Sequence, residues 1–328
     1  MKKGKLICTS LVASSLVSIA LTSCGGSSSF KRVGILKFVE DTPLNLAESG
    51  FVNALKSKGF EDGKNITLTY QNPNADSTKN SSMASNLVLG NEMVFGIATP
   101  SAVALKNAVD KNGIDIPVLF TAVTNPVGAG LVSSMIDHDS DNVTGMSDMT
   151  DVNLIVNALT KFNNVDTVGI LYNVSESNSQ YQVDLMKTAL NAKNLSFEDK
   201  GVSDDNLITS SINSLSDKCD AIYIPTDNHI ANAIGQVREV AKSRGLITIS
   251  ADASLVESGS MIGIGVNYET LGEEVGKMAA EILSGSKKAS DIDCAWQSDP
   301  IMYVNKTIAG EAGITIPEDL ISNADKVY

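Results

Sequence analysis

The chain reads as an α/β protein built of two Rossmann-like lobes joined by hinge crossings. Apolar strand-like runs alternate with helically spaced ones along the whole length, and the strand endings of the first half recur in the second. At 328 residues the chain also exceeds what one hydrophobic core usually holds.

The first repeat is Val33-Gly34-Ile35-Leu36, leading through a polar loop into a helix marked by Phe51 and Leu55 and ended near Gly59. Val168-Gly169-Ile170-Leu171 does the same before a helix through Leu185 and Leu190. The second is Val94-Phe95-Gly96-Ile97, which empties into Ala98-Thr99-Pro100-Ser101; its counterpart Ala221-Ile222-Tyr223-Ile224 empties into Pro225-Thr226-Asp227-Asn228. The third pairs Pro117-Val118-Leu119-Phe120, running into Thr121 to Pro126, with Leu246-Ile247-Thr248-Ile249, running into Ser250 to Ser254. Continuously apolar runs of this length suit parallel strands covered on both faces, and open α/β sheets bind ligands just beyond the carboxyl ends of such strands. Six polar loops are therefore expected to face one another across a cleft.

Asn142 to Asp148 lies between the halves as a hinge strand, and Ile262 to Asn267 reads as a return crossing. The amphipathic helix after it, through Leu271, Val275, Met278, Ala279 and Ile282 to Gly285, has no partner in the second half's pattern. A third crossing precedes Ile301 to Val304. The expected lobes are 31–145 plus 266–290, and 146–265 plus 291–328. Three crossings permit hinge closure, because only a few residues need change φ/ψ.

Residues 1–23 read as a leader: Lys2, Lys3 and Lys5 precede an apolar run from Leu6 to Leu21 that is short and serine-rich for a membrane span. Leu21-Thr22-Ser23-Cys24 resembles the lipobox of bacterial lipoproteins, which implies lipidation of Cys24 and an extracytoplasmic, membrane-anchored chain. Residues 24–30 suit a flexible tether. The formal net charge of −13 becomes −16 once the three lysines of the leader are removed. That acidity, without a basic patch, excludes nucleic acid as a partner. Of the remaining cysteines, Cys219 and Cys294 admit a single bridge or two separate thiols.

Over nearly all of this length the chain resembles the substrate-binding lipoproteins of ABC importers in the tryptophan/tyrosine, or aromatic amino acid, family. The resemblance is carried by Gly63-Lys64-Asn65-Ile66, Tyr70-Gln71-Asn72, Ile97 to Pro100, Phe120 to Val132, Asn142 to Gly145, Gly169 to Asn173 with Ser175 to Ser179, and Tyr223 to Asn228. It implies the type I periplasmic-binding-protein fold, a monomer, capture of a small ligand between the lobes, and delivery to a permease and its ATPase. An L-amino acid, aromatic in several members, is the implied ligand; a sugar or nucleoside, or a tethered sensor of the same fold, are the alternatives. After Phe38-Val39-Glu40 the family commonly has histidine then proline, whereas this chain has Asp41-Thr42-Pro43.

A zwitterionic amino acid needs acceptors around its ammonium and donors around its carboxylate. Asp227 and Asp252 lead as acceptors, one for the ammonium and the other as cap or rim, with Glu40 and Glu176 behind them; such charge-assisted bonds are worth about 1.5–3 kcal/mol each. Thr99, Ser101, Thr124 and Ser179 stand at helix starts suited to a carboxylate, with Asn125, Asn178 and Thr226 in the same loops. Phe38 and Tyr172 are candidates for the side-chain pocket, with Phe120 and Tyr268 as further aromatics. An enzyme is not expected: the two histidines, His138 and His229, have no nucleophile in a catalytic pattern, and neither a dinucleotide nor a phosphate loop is present. No cofactor and no metal site are expected, since the acids are scattered.

Overall fold

The computed structural model describes residues 30–137 and 142–328. The leader, Cys24, most of the tether and His138 lie outside the described residues. The first half runs β1 (Lys31–Lys37), α1 (Thr42–Ser57), β2 (Ile66–Gln71), α2 (Ser77–Gly90), β3 (Met93–Ile97), α3 (Thr99–Asn112), β4 (Val118–Thr121) and β5 (Val143–Ser147). The second runs α4 (Val152–Leu159), β6 (Thr167–Asn173), α5 (Ser177–Ala192), β7 (Ser196–Val202), α6 (Ile208–Ser216), β8 (Ala221–Ile224), α7 (Asn228–Asn232), α8 (Ile234–Arg244), β9 (Ile247–Ser250) and β10 (Ile262–Gly265). There follow α9 (Tyr268–Ser284), β11 (Ala295–Trp296), β12 (Ile301–Val304), α10 (Lys306–Glu311), α11 (Glu318–Ser322) and β13 (Lys326–Val327).

The strands form two sheets, ordered β11-β5-β4-β3-β1-β2 and β13-β12-β10-β9-β8-β6-β7. Their parallel cores have the same plan, so β2-β1-β3-β4-β5 matches β7-β6-β8-β9-β10. The expected pairing of strand endings between the halves therefore holds in three dimensions. Each sheet is apolar on both faces: Val33 and Ile35 of β1 pack under α1 and α9, while Leu36 turns to the other face with Leu87 of α2 and Leu105 of α3. In the second lobe Ile170 and Tyr223 face α4 and α5, and Leu171 and Ile222 face α6 and α8. This double burial is why these strands lack an alternating pattern.

The chain crosses between lobes after β5, after β10 and between β11 and β12. The boundary expected at residue 290 is displaced. Residues 291–296 stay with the first lobe, where β11 pairs with β5 and Thr144 Oγ1 donates to the Ile292 carbonyl at 2.8 Å. Cys219 and Cys294 lie in the cores of different lobes and are not bridged to one another.

The helix without a counterpart, α9, packs along α1 at backbone contact. A Cβ at Gly272 would lie 1.9 Å from the Ala47 carbonyl oxygen, and one at Gly50 would lie 2.1 Å from that of Glu269. The seam sets the start of α9 beside the start of α1, at the mouth of the first lobe. Gly272→Ala should destabilise the chain by about 3 kcal/mol, because backbone rather than a movable side chain must give way. Gly310→Ala, with nothing within 4 Å, should leave stability unchanged or slightly raised. Thermal or urea unfolding of the two variants checks the contrast.

Candidate functional site

In each lobe the strand order reverses between the first strand and its inner neighbour, β1 and β3 in one and β6 and β8 in the other. Helices leave the sheet in opposite directions there, which opens a crevice at the carboxyl ends. The loops at these crevices meet across the lobes. Thr124 Oγ1, beyond β4, lies 3.0 Å from Thr226 Oγ1, beyond β8, and the Phe38 and His229 rings meet edge to face at 6.2 Å.

Between the loops is a cavity of about 20 Å³, walled by Asp41, Pro43, Leu44, Ala122, Asp148 and Tyr268 from the first lobe and its crossings. Asn178, Thr226, Asp227, Asn228, Ala231, Asp252 and Leu255 complete it from the second. That volume holds about one water, whereas small-molecule sites run to about 300–1,000 Å³. Admission of a ligand therefore requires the lobes to part. Larger hollows open on the surface among the described residues, one of them about 400 Å³ beside Trp296 and Tyr181, and these do not gather buried acids at strand ends.

Four carboxyl groups line the cavity, and no lysine, arginine or histidine does. Asp227 ends the loop after β8 and is fully engaged. Its Oδ1 accepts from the backbone N–H groups of His229 and Ile230 at the start of α7, and Oδ2 accepts from that of Asn173 at 2.6 Å, across the crevice between β8 and β6. Asp252 follows β9. Its Oδ1 accepts from Ser254 N and Ser254 Oγ, both at 2.7 Å, and no hydrogen bond among the described residues reaches Oδ2. Burial pushes this carboxyl up to about 7, with Asp148 nearby adding to the shift.

Asp148 closes the first crossing. Thr124 Oγ1 donates to its Oδ1 at 3.0 Å and Tyr268 Oη to its Oδ2 at 2.9 Å, so it ties the loop after β4 to the start of α9. Burial holds it above the usual carboxylate range. Asp41 caps α1, accepting from Leu44 N at 2.9 Å through Oδ1; Oδ2 is buried without a partner. Its carboxyl is pushed up to about 8, chiefly by burial, with Asp252 contributing from across the cleft. Backbone strain gathers on the same side: Ala98 and Ala122, at the ends of β3 and β4, have φ of +82° and +55°.

Of the residues selected from sequence, Asn178, Thr226, Asp227, Asp252 and Tyr268 reach the cavity. The others stand outside its lining. Glu40 is turned to the surface, bonded to Lys37 and Asn72. Ser101 lies in the core, donating to Asn80 Oδ1 at 3.1 Å, and Thr99 is buried beside it. Phe38 is a core side chain, and Tyr172 packs against the outer core of the second lobe. Ser179 donates to the Thr226 carbonyl, and Asn125 Oδ1 accepts from Gly128 N within its own loop. Thr124 serves Asp148 and Thr226.

Glu176 is buried behind the cavity, where Oε2 accepts from Asn178 Nδ2 and Asn228 N and Oε1 from His229 N. Burial, then the charge of Asp227, raise it well above its usual range. The sequence pattern alone gives no ligand role to Asp148 or Asn228 and marks Asp41 only as a departure from the family pattern, yet all three line the cavity. The signal for Asp148 was its place at the polar end of the hinge strand.

The family model for ABC transporter substrate-binding proteins matches residues 32–328. A tyrosine-binding protein of Clostridioides difficile is 34% identical over 324 residues, covering 93% of this chain and 92% of that protein. The structure of an ABC domain in complex with L-Trp from Streptococcus pneumoniae superposes with a TM-score of 0.84 at 34% identity, covering 92% of this chain and all of that one. A ligand-free, open structure of a substrate-binding protein with adhesive properties from Clostridium difficile gives 0.68 at 36% identity, over 90% of this chain and 99% of that one. The lower superposition is with the structure described as open, whereas the loops of this chain meet across the cleft.

Two expectations follow from the buried acids. Asp41, Asp148 and Asp252 keep their protons in the folded chain at pH values where the unfolded chain has released them. The contribution of Asp41 and Asp252 is therefore full below about pH 4 and is lost as pH rises through 7 to 8, and Asp148, held above its usual range by burial, acts in the same direction. The melting temperature should fall between pH 5.5 and pH 8.5, and Asp252→Asn should flatten that slope. Asp227→Ala should cost about 1–3 kcal/mol in unfolding experiments, by uncapping α7 and stranding Asn173 N.

Proposed function

The chain belongs to the family of ABC transporter substrate-binding proteins, and from that premise we propose that it captures an L-amino acid between its lobes, the ligand's ammonium resting against Asp252. Like its relatives it is a binding protein and not an enzyme. The observation that carries the proposal is a cavity with four carboxyl groups and no side-chain cation, in which Asp252 keeps one oxygen uncommitted. A buried carboxylate is stable only with a compensating charge or donors, and a ligand ammonium supplies both.

The names of two relatives, tyrosine-binding and L-Trp-bound, support an aromatic amino acid as the ligand here. The side chain would occupy the space between Leu44 and Leu255 once the lobes part to admit it. On this reading the chain is a monomer, anchored outside the cytoplasm by lipid on Cys24, and passes its ligand to a permease and its ATPase. No described helix is long and apolar enough to cross a membrane.

Thermal-shift and calorimetric titration of the purified chain with L-amino acids, sugars and nucleosides test the reading. Stabilisation by one or more L-amino acids is expected, with Asp252→Asn weakening binding at least tenfold, as loss of one charge-assisted bond predicts. A shift with sugars or nucleosides alone would overturn it.

A further inference from the structure

We propose that Asp41 is a specificity-determining residue of the cleft, whose Oδ2 accepts a hydrogen bond from the ligand's side chain, so that the ligands are L-α-amino acids bearing a side-chain N–H or O–H donor. This rests on the amino-acid reading above and narrows it.

Asp41 is 8% exposed, and only Oδ1 has a partner. Burial favours the protonated form of Asp41, and a ligand donor at Oδ2 would meet the ionised form and complete the site. The chain itself does not provide one. Tyr268 Oη, on the same wall, donates to Asp148. Lys37, whose charge acts on Asp41, has its Nζ committed to Glu40 at 3.0 Å, Glu48 at 3.1 Å and Asn45 at 2.6 Å. Pro43, Leu44, Ala122 and Leu255 have no side-chain donor to offer. Asp41 and Asp252 stand at helix starts on opposite lobes, Asp41 before α1 and Asp252 before the 3₁₀ turn Ala253–Val256. A ligand whose ammonium meets Asp252 on one lobe thus comes within reach of Asp41 on the other. A site built around an unmet acceptor rejects the analogue that lacks the donor far more strongly than an apolar pocket rejects a missing methylene.

The test is titration calorimetry with two matched pairs, L-tyrosine against L-phenylalanine and L-lysine against L-norleucine. The wild-type chain should favour the donor-bearing member of at least one pair tenfold or more. Asp41→Asn keeps an oxygen for Leu44 N while placing an amide N–H₂ where Oδ2 was, and should erase or reverse that preference. Asp41→Ser, also a good helix cap, should erase it without reversal. Melting curves of both variants establish that they fold. Equal binding within both pairs, or a preference that survives both substitutions, overturns the role of Asp41 and leaves the amino-acid reading standing. Where none of the four binds, the role of Asp41 falls if any L-amino acid of the panel above that binds lacks a side-chain donor, and both readings fall if no L-amino acid binds.

Discussion

A carboxyl group taken out of water must have its charge met or keep its proton, and this protein buries five of them around one cleft without a cation in the lining. Asp41, Asp148, Glu176, Asp227 and Asp252 are all nine-tenths buried or more. Three of them meet unpaired backbone N–H groups at the start of a helical segment, the one place where a fold of this kind has such donors to spare. Asp148 is met by two hydroxyls and Glu176 by amides. The loops are held in shape by their acids, and the oxygens left over define what the cleft can bind.

That arrangement requires the first lobe to present two helix starts side by side, and the α1–α9 seam does it. Glycines at 50 and 272 let the backbones touch, which brings Tyr268, the first residue after the second crossing, to Asp148 at the first. From Tyr268 a line of hydrogen bonds runs through Asp148 and Thr124 to Thr226 on the other lobe. Two crossings and both lobes are therefore coupled by short polar contacts that water can replace when the lobes separate. Little covalent geometry has to change for such a motion, since each crossing is a short segment between firmly packed sheets.

The two lobes share a sheet plan but divide the chemistry unequally. The second lobe encloses Asp227 and Glu176 in internal bonds, Glu176 bracing the start of α7, while Gln182 Oε1 accepts from Thr226 N at 2.9 Å. The first lobe leaves Asp41 half satisfied and holds Ala98 and Ala122, at the ends of its strands, in conformations that favour glycine. Backbone strain thus gathers on the first lobe's side of the cleft, while unmet acceptors face it from both sides, Asp41 Oδ2 from the first lobe and Asn178 Oδ1 and Asp252 Oδ2 from the second.

The amino-acid sequence alone determined the two-lobed plan, because apolar runs buried on both faces and repeated strand endings are local patterns that burial itself imposes. It also marked the loops: Thr226, Asp227 and Asp252 could be picked out since a polar residue directly after a buried strand has few places to go. What only the tertiary structure decided is the fate of each polar atom. Asp227 reads as well as Asp252 in one dimension, yet its second oxygen is taken by Asn173, fifty-four residues away in the chain. Ser101 and Glu40 sit at plausible positions and turn into the core and out to solvent, respectively. Asp148 and Tyr268, 120 residues apart, meet only because a glycine seam aligns two helices. Hydrogen-bond satisfaction depends on partners distant in sequence, and for that reason the sheets were legible from the chain while the free oxygens of Asp41 and Asp252 were not.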